Sequence, residues 1–290
     1  MKALIFGISG QDGFYLHSLL KEKKIEVIGV SRNNDNWIKA HVADQKAVTD
    51  LVKANQPDYI FHLAANSTTK HEALFENHET ISTGSLNILE AVYKFSGHTK
   101  VFLSGSGLQF ENKGLPISEK DPFEARDPYS VSRIHSVYAA RYYRRLGMKV
   151  YVGYFFNHDS PLRSERHINK KIAAAVQRIA GGSNEKIEIG DINTRKEFNF
   201  AGDVMNAAWM LVSQDLFFEA VIGSGKAYSI KDWMEICFKL KGMDWKPYIR
   251  EQDNFTAQYD VLVSNPQLIQ SIGWRPAVNI NELAQMMLTS

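Results

Sequence analysis

Three groups of residues in this sequence have types and spacings that can do chemistry. The first is Gly7-Ile8-Ser9-Gly10-Gln11-Asp12-Gly13, with glycines at every third position. Glycine lets a backbone turn tightly and lets a phosphate approach it with no Cβ in the way. A helix opening in such a turn presents free N–H groups and a dipole that favour an anion such as a pyrophosphate. The second group is Tyr129 and Arg133, just after Asp127-Pro128. Four residues apart on a helix, they share a face. A cation beside a phenol favours the phenolate, and that equips a tyrosine to act as acid or base near neutral pH. An ordinary aromatic–arginine contact is the plainer alternative. The third group is Ser104-Gly105-Ser106-Gly107, hydroxyls and glycines that follow an apolar run.

These residues need a layered α/β architecture to bring them together. Lys2-Ala3-Leu4-Ile5-Phe6 reads as a buried strand, and Phe14, Leu16, Leu19 and Leu20 follow the glycines at helical spacing. Strand, glycine turn and helix form the first βα unit of a dinucleotide-binding fold. The second strand, Glu26-Val27-Ile28-Gly29-Val30, ends at Ser31-Arg32-Asn33-Asn34. An acidic residue at this point would bind the ribose hydroxyls of NAD, whereas a basic one accommodates the 2′-phosphate of NADP. No carboxylate occurs before Asp35, so Ser31 and Arg32 point to NADP(H). The alternative for Arg32 is a surface loop arginine. Val42 is expected to end a short third strand, before a helix at 46–54. Tyr59-Ile60-Phe61-His62-Leu63-Ala64-Ala65 is an apolar strand whose small final residues would let a cofactor lie close to the backbone; His62 reads as a packed strand residue. A helix at 79–95, a strand at 100–104, a helix opening at Asp127 and running to Leu146, and a strand at 149–155 complete the alternation. Such alternation indicates a doubly wound parallel sheet. Beyond it lie a helix at 168–179 with Lys170 and Lys171 in its first turn, a strand at 186–189, and Thr194-Arg195-Lys196-Glu197. These cations could hold a diphosphate, although exposed salt-bridged faces would look the same. Helices at 202–213 and from Ile230, a strand at 219–222, and a final helix after Gly273-Trp274-Arg275-Pro276 close the chain.

Composition excludes several classes. The 290 residues can hold one large domain or two intertwined ones with ample core. A formal net charge of +2 gives no bulk signal for nucleic acid, and the basic run at 141–145 reads as a solvated helix face. The one cysteine, Cys237, cannot form an internal disulfide, and its apolar neighbours suggest a buried thiol. No apolar run approaches the roughly 18 residues needed to span a bilayer. The N-terminus enters a strand directly and does not read as a signal peptide, so the cytoplasm is the expected compartment. No cluster of residues suggests a metal site.

Together these segments resemble the extended short-chain dehydrogenases that modify nucleotide sugars, and the GDP-mannose 4,6-dehydratase family in particular. The likeness runs nearly the whole length. It is carried by Gly7-Ile8-Ser9-Gly10-Gln11-Asp12-Gly13-Phe14-Tyr15-Leu16, by Phe156-Asn157-His158-Asp159-Ser160-Pro161, by Lys171-Ile172, by the segment 190–197 and by Gly273-Trp274-Arg275-Pro276. It implies an NADP-binding Rossmann domain at 1–156 with a returning segment at about 195–225. A smaller substrate domain would comprise 157–194 and 226–290. By position, Gly7, Gly10 and Gly13 with Ser9, Gln11 and Asp12 would line the cofactor phosphates, with Arg32 at the 2′-phosphate. Leu63, Ala64, Ala65 and Ser67 would follow the dinucleotide, near Val42. His158 and Arg163 would close over it, and Asn157, Lys171 and Lys196 would face the sugar nucleotide. A homodimer through the helices at 79–95 and 129–146 is expected.

The departures from that pattern bear on the reaction. The catalytic Thr/Ser position of the family falls on Gly105, its glutamate base on Gly107, and its helix lysine on Arg133. An acidic residue near the adenine falls on His41 and an arginine near the substrate diphosphate on Phe255; a long loop that builds tetramers is nearly absent between Arg32 and Val42. Dehydration must remove the C5 proton and needs a base within reach. A 4-keto reductase needs only hydride from NADPH and one proton. The expected function is therefore NADPH-dependent reduction of a 4-keto-6-deoxy sugar nucleotide, GDP-linked. Tyr129 would be the proton donor, Arg133 would hold the nicotinamide ribose, and Ser106 or Ser104 would polarise the ketone. The alternatives are a dehydratase or epimerase with relocated groups, and a catalytically silent homologue that binds nucleotide sugar or regulates a partner.

Overall fold

A computed structural model describes residues 1–33, 36–252 and 255–289. Its large sheet has seven parallel strands in the order β11-β6-β5-β4-β1-β2-β3. They are β1 (Lys2–Phe6), β2 (Glu26–Ser31), β3 (Ile38–Lys39), β4 (Tyr59–His62), β5 (Lys100–Ser106), β6 (Val150–Phe155) and, after four strands of the smaller lobe, β11 (Glu219–Ile222). The strands read as near-continuous apolar runs because helices cover both faces. On one side α2 (Gln45–Asn55), α4 (Gly84–Phe95) and α5 (Pro128–Arg145) pack Val48, Ile88, Leu89 and Val137 against Leu4, Ile60 and Leu103. On the other, α1 (Gln11–Glu22) and α7 (Ala201–Val212) pack Leu16, Leu20, Val204 and Leu211 against Ile5, Phe61 and Phe102. Trp274 is 1% exposed in this second core, and its indole N–H donates to the Asp203 carbonyl at 3.0 Å, tying the C-terminal segment to α7.

The smaller lobe is built from β7 (His158–Asp159), β8 (Ile187–Ile189), β9 (Arg195–Glu197), β10 (Asn199–Phe200), β12 (Ala227–Ser229), β13 (Ile249–Glu251) and β14 (Val261–Leu262). These pair as β10-β7, β12-β9-β14 and β13-β8. Its core lies between α6 (Ile168–Ala180), α8 (Ile230–Leu240) and α10 (Ile280–Met287), where Ile172, Val176, Trp233, Phe238, Leu283 and Met287 meet. Glu197 is fully buried there. It accepts hydrogen bonds from the backbone N–H groups of Ser224 and Ser264, both at 2.6 Å, and from Asn199 Nδ2 at 2.9 Å. Buried polar groups need such partners, and through them Glu197 joins three segments of the lobe.

Several sequence expectations change. The third strand is Ile38–Lys39, and Val42 lies beyond it as a buried loop residue. The helix expected at 79–95 begins with a short α3 (Leu74–Asn77) and a π-turn (His78–Thr83) before α4. The basic run at 141–145 is not simply a solvated face. Arg141 holds Glu219 through two hydrogen bonds, and Arg144 and the Tyr154 hydroxyl join the same carboxylate. Cys237 is buried, as its neighbours suggested. Asn34 and Asp35, which bore on the cofactor argument, lie outside the described residues.

Candidate active site

The sheet order reverses between β1 and β4, and such a switch point opens a crevice at the carboxyl ends of the strands. The glycine turn sits there. Gly7 has φ of +91°, and a Cβ on it would lie 2.6 Å from the Ala64 backbone nitrogen. A Cβ on Gly13 would lie 2.5 Å from the Gly7 carbonyl oxygen, so this glycine lets α1 pack on the turn. At Gly10, where cavities adjoin the turn, a Cβ would meet only the Gly7 oxygen, at 3.4 Å. Two of the glycines thus shape the turn, and the third, whose N–H donates to the Gly7 carbonyl at 3.1 Å, leaves open space beside its Cα. This is the cradle that a pyrophosphate needs.

The first cavity, about 280 Å³, runs from this turn over the ends of β1, β2 and β4. Gly7, Ser9, Gly10, Ser31, Arg32, Val42, Leu63, Ala64 and Ala65 line it. His41 and Thr80 are also there, and the buried Thr80 hydroxyl has no partner among the described residues. No sequence signal marked Thr80, because the π-turn that presents it is a tertiary feature.

The second cavity continues from the same turn toward β5 and α5. Gln11, Asp12, Ser67, Ser106, Tyr129, Arg133, Asn157, His158 and Arg163 line it. Helix α5 starts where it does for a local reason. Asp127 accepts the Ser130 N–H at 2.8 Å, the Ser130 hydroxyl faces the Asp127 N–H at 3.0 Å, and Pro128 occupies the first turn. That reciprocal cap places Tyr129 in the first turn and Arg133 one turn later. Tyr129 is 8% exposed, and its hydroxyl has no hydrogen-bond partner among the described residues. The Arg133 guanidinium sits 5.0 Å from the Tyr129 ring centroid and donates to the Ser104 carbonyl and, at 2.9 Å, to the Ser104 hydroxyl. The Ser104 hydroxyl donates its one hydrogen bond to the His62 carbonyl at 3.0 Å, so it has none left for a ligand. The Ser106 oxygen caps the next turn by accepting the Leu108 N–H, which leaves its O–H as the free donor. Of the two serines considered, Ser106 is the one able to polarise a carbonyl. His62 is packed as expected, its Nε2 3.1 Å from the Thr80 carbonyl, and burial pulls its pKa down to about 3.

Gly105 and Gly107 are not empty places. A Cβ on Gly105 would lie 2.7 Å from the Tyr154 ring, and one on Gly107 would lie 2.9–3.0 Å from the Phe156 ring. Aromatic rings have taken the space beside both positions.

A latch crosses the second cavity. His158 Nδ1 lies 2.9 Å from the Phe156 carbonyl, and its Nε2 lies 3.0 Å from Asp12 Oδ1. Burial pulls the imidazole down, but the Asp12 charge and hydrogen bond outweigh it and raise its pKa. Burial also pushes Asp12 up, and the imidazolium more than reverses this. Beside it, Ser160 donates to Gln11 Oε1 at 2.9 Å. Arg163 pairs with Asp159 at 3.5 Å and lies 3.1 Å from His167 Nδ1.

A third cavity lies in the smaller lobe, where Lys171 and Lys196 come together with Arg166, Gly190, Phe255 and Tyr259. Lys171 donates to the Glu188 carbonyl at 2.8 Å. Lys196 is 8% exposed; burial brings its pKa down to about 8, with Asp159 raising it and Arg163 lowering it. Asn157, in the second cavity, lies close enough to the Tyr259 phenol of the third to offset part of the rise that burial gives its pKa. Among the described residues, no group of histidine, cysteine and carboxylate side chains could hold a metal ion, and no helix is long and apolar enough to cross a membrane.

Known proteins share this architecture. The sequence model of the GDP-mannose 4,6 dehydratase family matches residues 4–287. GDP-mannose 4,6 dehydratase 2 of Arabidopsis thaliana is 30% identical over an alignment that covers 99% of this chain and 85% of that protein. The structure of RMD from Pseudomonas aeruginosa complexed with NADPH superposes with a TM-score of 0.86 at 20% identity, covering 99% of this chain and 96% of that one. UDP-glucose 4-epimerase of Thermus thermophilus in complex with NAD gives 0.84 at 20% identity, with 100% and 98% covered.

Proposed function

The chain belongs to the GDP-mannose 4,6 dehydratase family, and on that footing we propose that it is a nicotinamide-dependent enzyme acting at C4 of a GDP-linked sugar, with Tyr129 as its acid–base group. The observation that carries this reading is the unpaired Tyr129 hydroxyl in a cavity that continues from the glycine cradle. A nicotinamide cofactor bound along the two cavities supplies hydride exchange with the sugar. The cradle suits its pyrophosphate, and Arg32 and Ser31 at the end of β2 favour NADP(H). Tyr129 moves the proton at the sugar oxygen. Arg133 fixes the Tyr129 ring and ties α5 to the end of β5. Ser106 has an O–H for the carbonyl oxygen. Asn157, Lys171 and Lys196 face the sugar nucleotide, the two lysines supplying charge for its diphosphate.

Oxidoreduction at C4 is common to 4,6-dehydration, 4-epimerisation and 4-keto reduction. The family and its relatives favour dehydration as the complete reaction. One observation favours the shorter reaction, reduction of a 4-keto-6-deoxy sugar nucleotide. Removal of the C5 proton needs a base within reach. Gly107 has no side chain to serve, and the Phe156 ring lies against it. Among the described residues the one carboxylate lining the second cavity is Asp12, which is bound to His158.

The test is a pair of incubations. GDP-mannose with NADP⁺ and GDP-4-keto-6-deoxymannose with NADPH are each followed by nicotinamide absorbance and by the mass of the sugar nucleotide. Loss of water from the first substrate establishes a dehydratase. Gain of two hydrogens by the second, with NADPH consumed, establishes a reductase. Neither change, with both ligands still binding, leaves a silent nucleotide-sugar-binding homologue. The assembly that goes with this reading is a homodimer through the outer faces of α4 and α5, and the compartment is the cytoplasm.

A further inference from the structure

We propose that Glu76 is a positioning residue that sets the choice between NADP(H) and NAD(H) by acting through Arg32. The inference rests on the nicotinamide-dependent reading above. Arg32 follows β2 and lines the first cavity, where a 2′-phosphate would meet it. The sequence around it offers no described carboxylate, but the fold brings one from α3. Glu76 Oε1 lies 2.8 Å from Arg32 Nη1, and Asn66 Nδ2 donates to Glu76 Oε2 at 2.7 Å. Both carboxylate oxygens are therefore engaged, which distinguishes Glu76 from an acid swinging freely at the surface. The Arg32 hydrogen bond, with Asn66 assisting, also holds the carboxyl below its usual range. It is therefore charged at neutral pH.

The pair sits in solvent at the cavity rim, with side chains 58% and 42% exposed, so it contributes little to folding. Its consequence is for what binds. The remaining nitrogens of Arg32 have no partner among the described residues, so they can still meet a phosphate. A dianionic 2′-phosphate placed there lies beside the Glu76 carboxylate, and like charges at that distance oppose each other. A ribose with a free 2′-hydroxyl meets no such opposition. Glu76 therefore cancels part of the NADP(H) preference that Arg32 confers and narrows the discrimination between the two cofactors.

Titrating the whole protein with NADPH and with NADH, by nicotinamide fluorescence at low ionic strength, tests this. Glu76→Gln removes the charge and keeps a polar partner for Arg32. It should tighten NADPH about five- to tenfold and leave NADH unchanged, with the gain shrinking as salt is added. In the Arg32→Ala background the same substitution should have no effect. A merely structural Glu76 would move both cofactors together. An unchanged NADPH-to-NADH ratio in Glu76→Gln overturns the inference and leaves the functional reading standing. Failure of the wild-type protein to bind either cofactor overturns both.

Discussion

Tyr129 concentrates the proposed chemistry into one side chain. Its phenol is unpaired, while neighbouring hydroxyls such as Ser104 are already committed. Replacement by Phe removes only that oxygen. Turnover should fall by about 10²- to 10⁴-fold, while NADPH binding, measured by fluorescence, persists. Lys196 carries a second prediction at this scale. Burial sets its pKa near 8, so its charge is lost as pH rises through that value. Affinity for GDP, measured calorimetrically, should fall across this range in the wild type and stay flat in Lys196→Met. Stability has the opposite sign. The folded pKa lies below the ordinary 10.5, so the native state gains relative stability from this group as pH climbs from about 8 toward 10.5.

At the scale of elements, the latch between the start of α1 and β7 holds the turn against the smaller lobe through Asp12–His158 and Gln11–Ser160. The folded pKa of His158 is raised above 6.5, so its contribution is complete below 6.5 and disappears as pH rises through the raised value. The folded pKa of Asp12 is lowered below 3.8, so its contribution is complete above 3.8 and is lost as pH falls through the lowered value. The Tm difference between wild type and His158→Gln should therefore be largest between pH 3.8 and 6.5 and shrink on either side. A difference that grows with alkali would remove the imidazolium from this account. Elements were the most legible level in the sequence. β1, β5, β6 and β11 fall within about two residues of where periodicity puts them. The misses were short or irregular pieces: β3, α3, the π-turn and the two- and three-residue strands β7, β9, β10, β12, β13 and β14, whose form depends on neighbours rather than on their own pattern of apolar residues.

The molecule as a whole leaves a stripe of large apolar side chains uncovered. Val131, Tyr138 and Tyr142 project from α5, and Leu86 and Tyr93 from α4; Tyr138 and Tyr142 are 59% and 58% exposed. Apolar stripes on adjacent helices suit a second copy meeting them face to face. The protein should run as a dimer by light scattering, and Tyr138→Glu with Tyr142→Glu should yield a folded monomer. Monomeric wild-type protein would remove the homodimer. The same scale separates what one chain of letters could decide from what it could not. The glycine spacing between an apolar strand and a helix determined the turn, because Gly7 has φ of +91° and Gly13 packs on Gly7 and Ile8, atoms of the same turn. The alternation of strands and helices determined the sheet, and Asp127-Pro128 with Ser130 determined where Tyr129 starts its helix. Local steric and hydrogen-bonding rules suffice for each. Only the tertiary structure decided that Phe156 and Tyr154 occupy the space beside Gly107 and Gly105, that Ser104 is spent on His62 and Arg133, and that Glu76 reaches Arg32. Those contacts join strands, turns and helices far apart in the chain. Their distances, and the charges and volumes they bring to one cavity, exist only once the sheet has assembled.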